Sequence, residues 1–170
     1  GVRPTQNRVR EAVFSSLAPR IPDCSFLDLY AGSGAVGLDA WSRGAAMVVA
    51  VEKDRRTAAQ LEQSARQLDV PANAFRVICG GAEQVIQGLV GGPFDLVYID
   101  PPYEFTDQED ALSPLLAALA EGNLLASGAE VLVEVGAKSA WFPPAGWTVR
   151  QDRRYGAAHV YWISSEKAER

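Results

Sequence analysis

The run Asp100-Pro101-Pro102-Tyr103 follows directly on the apolar stretch "FDLVYI". Each proline ring locks φ and removes an N–H donor, so the pair makes a stiff loop whose carbonyls remain free acceptors. An acid stands at one end of the loop and an aromatic ring at the other. Such a loop can hold a donor against a ring: Asp100 and the Pro101 carbonyl supply acceptors, and Tyr103 supplies a flat face. The plainer reading is a rigid turn at a strand end, with Asp100 as a cap.

A second constellation is "DLYAGSGAVG", in which Gly32, Gly34 and Gly37 fit G-x-G-x-x-G. The glycines allow a sharp turn and let a ligand approach a helix N-terminus with no side chain in the way. Glu52 stands twenty residues after Gly32, at the end of an apolar run. That is the place for an acid that accepts hydrogen bonds from ribose hydroxyls. The loop and its acid fit a dinucleotide or another adenosine ligand. Asp28, four residues before Gly32, separates the two. A carboxylate there repels a pyrophosphate and suits a ligand carrying an ammonium group. Nor do these 170 residues hold the second domain that usually brings a hydride acceptor.

The elements that must position these residues alternate. "RPTQNRVREAVFSSL" has Thr5 as an N-cap candidate and apolar Val9, Ala12, Val13 and Leu17 at helical spacing. "SFLDLY" is a short strand and "AVGLDAWSRG" a helix closed by glycine. "AMVVAVE" is a strand, and Asp54 caps the helix "RRTAAQLEQSARQLDV". "AFRVIC" and "FDLVYI" are further strands, with the short helix "AEQVIQGL" between them. "DQEDALSPLLAALAEGNLL" reads as mostly helix, "AEVLVEV" as the fifth strand, and "GWTVRQDRRYGAAHVYWISS" as a hairpin turning at Tyr155-Gly156. Runs such as "VVAV" have the composition of parallel strands buried on both faces. The expected fold is an open, doubly wound α/β sheet with an antiparallel C-terminal hairpin at its edge, in a single domain over 1–170.

Apolar content of 48 % and charged content of 22 % suit a folded domain. No apolar run approaches the ~18–20 residues of a membrane span, so no membrane partner is expected. Cys24 and Cys79 lack metal-ligand spacing, which points to a reduced, cytoplasmic setting and no metal. His159 lies in an apolar run and is expected to pack rather than ligate, as are Trp41, Trp141, Trp147 and Trp162. The net charge is −5, yet Val77 to Ala137 contains ten acids and neither Lys nor Arg. Positive charge gathers at the ends, in Arg3, Arg8, Arg10 and Arg20 and again in Arg150, Arg153 and Arg154. If the ends meet they make a basic face; otherwise these are solvated surface charges.

With these motifs in place the sequence resembles the class I S-adenosylmethionine (SAM) methyltransferases. "DLYAGSGAVG" is similar to their first motif, "VVAVEKD" to their second, and "DPPY" to the fourth motif of those that methylate amino nitrogens. The resemblance implies a Rossmann-like, mostly parallel seven-stranded sheet of order 3-2-1-4-5-7-6. It implies cofactor contacts from Asp28, Tyr30, Ala31, Gly32, Ser33 and Gly34 in the first loop. Glu52 and Lys53 follow from the second loop, Gly81 and Ala82 from the third, and Asp100 from the fourth. The family often places an Asp against adenine where Gly81 stands here, so backbone groups and packing are expected to hold that ring.

Exocyclic base amines are weak nucleophiles, while the sulfonium is already activated, so the expected work is orientation and electrostatics. Asp100, Pro101, Pro102 and Tyr103 are the implied catalytic loop, with Tyr103 stacking on a base flipped from its helix. Guanine offers two adjacent donors, N1–H and N2–H, which an acceptor-only carboxylate matches. Adenine offers a donor and an acceptor, yet "DPPY" also occurs in adenine N6 methyltransferases.

"RPTQNRVREAVFSSL" ahead of "FLDLYAGSGAVGLDAWSRGA", with "DPPY" and "RRYGAAHVYW" downstream, narrows the resemblance to the RsmD family, the 16S rRNA (guanine(966)-N(2))-methyltransferases. It covers nearly the whole chain. It implies a cytoplasmic, monomeric enzyme that methylates a guanine amine of 16S rRNA in an assembled or partly assembled small ribosomal subunit. The RNA contacts it implies are Arg3, Thr5, Arg8, Arg10, Arg153, Arg154 and Tyr155. Arg3 and Thr5 have an alternative role, closing over the cofactor. The family begins with a Gly- and Arg-rich hairpin before "RPT", and this sequence starts two residues ahead of Arg3. An RNA-binding hairpin before the basic segment 1–20 is therefore expected to be missing. Competing readings are a DNA or RNA adenine or protein glutamine N-methyltransferase, a non-catalytic SAM-binding protein, and a dinucleotide-dependent oxidoreductase.

Overall fold

The computed structural model describes residues 4–102, 112–139 and 141–168, with side chains from position 7 onward in the first helix. Helix α1 (Pro4–Leu17) leads into strand β1 (Ser25–Asp28), followed by α2 (Ala35–Ser42), β2 (Met47–Glu52), α3 (Arg55–Gln67) and β3 (Phe75–Cys79). Then come α4 (Ala82–Val85), β4 (Phe94–Ile99), α5 (Ser113–Glu121), β5 (Leu125–Gly136), β6 (Trp147–Tyr155) and β7 (Ala158–Ser165). The strands form one sheet of order β3-β2-β1-β4-β5-β7-β6, parallel through β5 and antiparallel in its last two pairings. This is the expected doubly wound topology with its antiparallel hairpin edge.

The central strands are buried on both faces, and their alternation divides the core in two. Phe26, Val48, Leu96 and Leu132 pack with Val9, Phe14 and Leu61 from α1 and α3. Leu27, Val49, Val97 and Val131 pack with Ala82, Leu115 and Leu119 from α4 and α5. The first core also takes in Val160 and Trp162 of β7, with Tyr155 and Ala158 against it. The two basic ends of the chain thus share one core. Arg8, Arg153 and Arg154 are exposed, as solvated charges and a basic face both require.

Local chemistry explains where the elements stop. Asp54 caps α3 by accepting from the Thr57 amide at 2.9 Å and its hydroxyl at 2.6 Å. Thr5 does not cap α1: the helix already contains it and opens on Pro4, whose fixed φ suits a first turn. The fifth helix is shorter than its apolar pattern implies. It ends at Glu121 because Gly122 is followed by Asn123 at φ 56°, and Leu125 belongs to β5. Positions 107–111 of the expected helix lie outside the described residues. Trp141, Trp147 and Trp162 are buried. Trp41 is half-buried against the first core. His159 is buried, with Nε2 2.8 Å from Asp152 Oδ1 and its ring stacked on Tyr161.

One feature of register matters for chemistry. Asp28 pairs with Tyr98, Tyr98 with Leu132, and Ile99 with Val133, so the carboxyl ends of β1, β4 and β5 lie level.

Candidate functional site

Strand order reverses between β1 and β4, and at such a switch point the carboxyl ends of parallel strands leave a crevice. Here it is a cleft of about 780 Å³.

The first wall is the glycine turn. Gly34 has φ 82°, and a Cβ on it would lie 1.9 Å from Leu61 Cδ1, so neither its conformation nor its packing accepts a side chain. Gly32, at φ 55°, meets nothing within 4 Å of its would-be Cβ; its place is taken by the open cleft. The turn is fastened by Glu52, whose Oε1 accepts from the Gly32 amide at 2.9 Å and whose Oε2 accepts from the Asp54 amide at 2.6 Å. One carboxylate thereby ties the loop after β1 to the loop after β2 and keeps lone pairs for a ligand hydroxyl. The Tyr30 hydroxyl donates to Glu83 Oε1 at 2.8 Å and ties the first loop to the third.

Asp28 ends β1 and is 1 % exposed. Burial pushes its carboxyl up to about 7, the Tyr30 backbone N–H pulls the other way, and the Glu52 charge adds to the rise. Its Oδ2 is buried without a hydrogen-bond partner among the described residues. An orphaned buried carboxylate oxygen is costly, and Asp28 lines a cleft that can bring a cationic donor.

The second wall is acidic. Tyr98 and Asp100 alternate onto one side of β4, and Glu134 stands beside Asp100 on β5. The Tyr98 hydroxyl donates to Glu134 Oε1. Asp100 is raised above the ordinary carboxylate range, first by partial burial, then by the negative charges of Glu134 and Asp28. Asp100 is nonetheless open to water in the cleft, which tempers the shift without changing its direction.

Of the expected cofactor contacts, all except Gly34 line this cleft, and Pro102 lines it as well. Gly34 shapes the turn from beneath. Pro101 is buried at the cleft edge, and Tyr103 lies outside the described residues. Arg10, expected at an RNA surface, lines the cleft, and its Nε is 3.2 Å from Asp39 Oδ2. Tyr155 packs on the first core. Arg3 and the Thr5 side chain lie outside the described residues. Among the described residues no group of three His, Cys, Asp or Glu is placed to hold a metal, and no helix is long and apolar enough to cross a membrane. Sequence reasoning missed Tyr98, Glu83 and Glu134. For Glu134 a signal existed: it is the lone acid in the apolar run "VLVEV".

The family model described as Conserved hypothetical protein 95 matches residues 1–164. Ribosomal RNA small subunit methyltransferase D of Haemophilus influenzae is 34 % identical over 157 residues, covering 92 % of this chain and 79 % of that protein. The protein of the same name from Escherichia coli is 35 % identical over 158 residues, covering 92 % and 76 %. This chain belongs to the RsmD family. The solved structure of the Escherichia coli protein yhhF superposes with a TM-score of 0.82 at 34 % identity, over 98 % of this chain and 89 % of that one. The expected sheet topology of the family therefore occurs in this chain.

Proposed function

We propose that the chain transfers the methyl group of SAM to the exocyclic N2 amine of a guanine in 16S rRNA. One observation carries the cofactor half of the reading: the buried Asp28 Oδ2 has no partner among the described residues, and Asp28 lines the cleft beside a glycine turn fastened by Glu52. The methionine ammonium of SAM supplies the cation that Asp28 lacks. Glu52 takes the ribose hydroxyls, and the backbone and packing around Gly81 and Ala82 take adenine, with Lys53 alongside. The bound cofactor supplies an activated methyl group.

The chain's own residues then orient the acceptor. Asp100 and the Pro101 carbonyl accept the amine N–H groups, Pro102 stiffens the loop, and Tyr103 stacks on the flipped base. Two adjacent acceptors match the N1–H and N2–H edge of guanine. Arg3, Thr5, Arg8, Arg153, Arg154 and Tyr155 face the phosphate backbone, and Arg10 reaches it from the cleft rim. The substrate is rRNA within an assembled or partly assembled small subunit, the enzyme is a cytoplasmic monomer, and residues 1–170 form one methyltransferase domain.

The test is transfer of label from methyl-labelled SAM to unmodified small ribosomal subunits, followed by nuclease digestion. N2-methylguanosine is the expected labelled nucleoside. Label in N6-methyladenosine overturns the guanine assignment, and bound cofactor without labelled RNA overturns the catalytic reading.

A further inference from the structure

Glu134 is the one charged side chain among Val131, Leu132, Val133 and Val135, and it is half-buried. An acid in an apolar strand is costly unless its oxygens find donors. One donor is in place: the Tyr98 hydroxyl, on a buried residue, donates to Glu134 Oε1. That bond fixes the carboxyl group from the neighbouring strand. A carboxylate has lone pairs for about four hydrogen bonds, so acceptor capacity is left over. Glu134 and Tyr98 both line the cleft, and the strand's own packing calls for no acid there.

Strand order decides which part of the cleft this acid serves. Asp28 ends β1, Asp100 follows β4 and Glu134 lies near the end of β5, and these three strands are successive neighbours. Glu52 on β2 and Gly81 after β3 lie on the opposite side of β1. In strand order Glu134 is therefore the cleft acid farthest from the groups assigned to ribose and adenine, one strand beyond the loop assigned to the amine. It alternates with Leu132, so it belongs to the sheet face that α1 and Tyr155 pack against. The residue opposite it on β7 is Val160, whose side chain has no donor. Ile99 pairs with Val133, one residue short of Asp100 and Glu134, and neighbouring strands lie about 4.8 Å apart. That is the scale on which two acceptors meet two adjacent donors of one ring.

Resting on the methyltransferase reading above, we propose that Glu134 is the residue that selects the acceptor base: held by Tyr98, its carboxylate accepts the ring N1–H of guanine while Asp100 and the Pro101 carbonyl accept from the N2 amine. The two strands together then recognise a ring N–H beside an exocyclic amine. Guanine carries that pair. Adenine and 2-aminopurine carry an amine beside an unprotonated ring nitrogen, whose lone pair faces the carboxylate. Two acceptors repel, and both are left unsatisfied. A site built to hydrogen-bond a ring N–H rejects an analogue that lacks it far more strongly than a pocket that reads shape alone. Glu134 takes no part in the bond changes at the methyl group, so it sorts bases without altering cofactor affinity.

The probe is 2-aminopurine, which keeps the N2 amine and lacks the N1–H. Once the labelled guanine is mapped, small subunits are reconstituted with guanine or 2-aminopurine at that position. The kcat/KM of wild type and Glu134→Gln is measured on each, alongside S-adenosylhomocysteine binding. The Gln carbonyl still accepts from Tyr98, and its N–H can meet an unprotonated ring nitrogen. Wild type is expected to prefer guanine by about a hundredfold or more. Glu134→Gln should lower kcat/KM on guanine at least about tenfold and shrink the preference at least about tenfold, with cofactor binding unchanged. 2-Aminopurine also lacks O6, so the change in preference between the two proteins carries the test. Lower activity with an unchanged preference makes Glu134 merely structural and overturns the inference. So does a variant that behaves as wild type, or a wild type without preference. If Glu134→Gln does not fold, Tyr98→Phe, which keeps the ring and frees the carboxyl, should shrink the preference about threefold, the scale of one hydrogen bond; an unchanged preference there overturns the inference instead. A wild type that labels no RNA, or labels adenosine, overturns the underlying reading and this inference together. N2-methylguanosine from wild type beside an unchanged preference in Glu134→Gln overturns the inference alone.

Discussion

The two walls of the cleft use carboxylates in opposite ways. On the wall formed by β1 and β2, both Glu52 oxygens are met by backbone amides, of Gly32 and Asp54. Backbone donors are fixed, so that carboxylate is a structural fastener with a defined direction left for ligand hydroxyls. On the wall formed by β4 and β5, Asp100 and Glu134 line the same cleft from neighbouring strands. Asp28 stands between these cases, with one oxygen orphaned. On the proposed reading the first wall holds a ligand and the second handles an amine.

The largest expected effect breaks the second wall alone. Asp100→Ala removes the amine acceptor, and methyl transfer to small subunits should fall by about a hundredfold or more, as loss of an orienting acid–base group does. Retained activity would remove Asp100 from the chemistry.

Next comes the fastening of the first wall. Gly34→Ala forces a Cβ to within 1.9 Å of Leu61 Cδ1 at φ 82°. Overpacking of that kind should cost about 2 kcal/mol, read as a lower denaturation midpoint with unchanged slope.

Asp28 gives a pH-dependent signature. Burial raises its carboxyl on folding from the ordinary aspartate value of 3.8 to about 7. An acid raised on folding contributes stability that is full below its unfolded value and is lost as pH rises through the folded one. The ligand-free melting temperature should therefore decline between about pH 4 and pH 7. Asp28→Asn should flatten the decline, and an unchanged slope in that variant would show Asp28 is not its source.

The smallest effect lies outside both walls. Replacing Arg153 and Arg154 by Ala should weaken RNA binding a few-fold and reduce its salt dependence, leaving cofactor binding alone. An unaltered salt slope would mean that these arginines are ordinary surface charges.

The same contrast explains what was legible in the sequence. Gly32, Gly34 and Asp28 act within ten consecutive residues, and Glu52 sits one strand–helix–strand unit away, so spacing alone exposes the first wall. The alternation of apolar runs exposes the sheet as well, because parallel strands buried on both faces leave little freedom of assignment. The second wall is made across strands. Glu134 comes beside Asp100 only because β4 and β5 pair with Ile99 opposite Val133, and no local pattern states that register. Arg10 looked like a surface charge in a basic segment, but α1 carries it to the rim of the cleft, where Asp39 holds it. The end of α5 is not legible in the sequence, because "AEGNLL" continues a helical pattern that the left-handed Asn123 interrupts.

The division between the walls is tested most directly by titrating S-adenosylhomocysteine into wild type, Asp28→Asn and Asp100→Ala by calorimetry under one set of conditions. The account predicts that wild type and Asp100→Ala bind alike, while Asp28→Asn, stripped of the charge facing the ammonium, binds at least about tenfold more weakly, the scale of a lost charge-assisted hydrogen bond. Equal binding by all three, or equal loss in both variants, would contradict it.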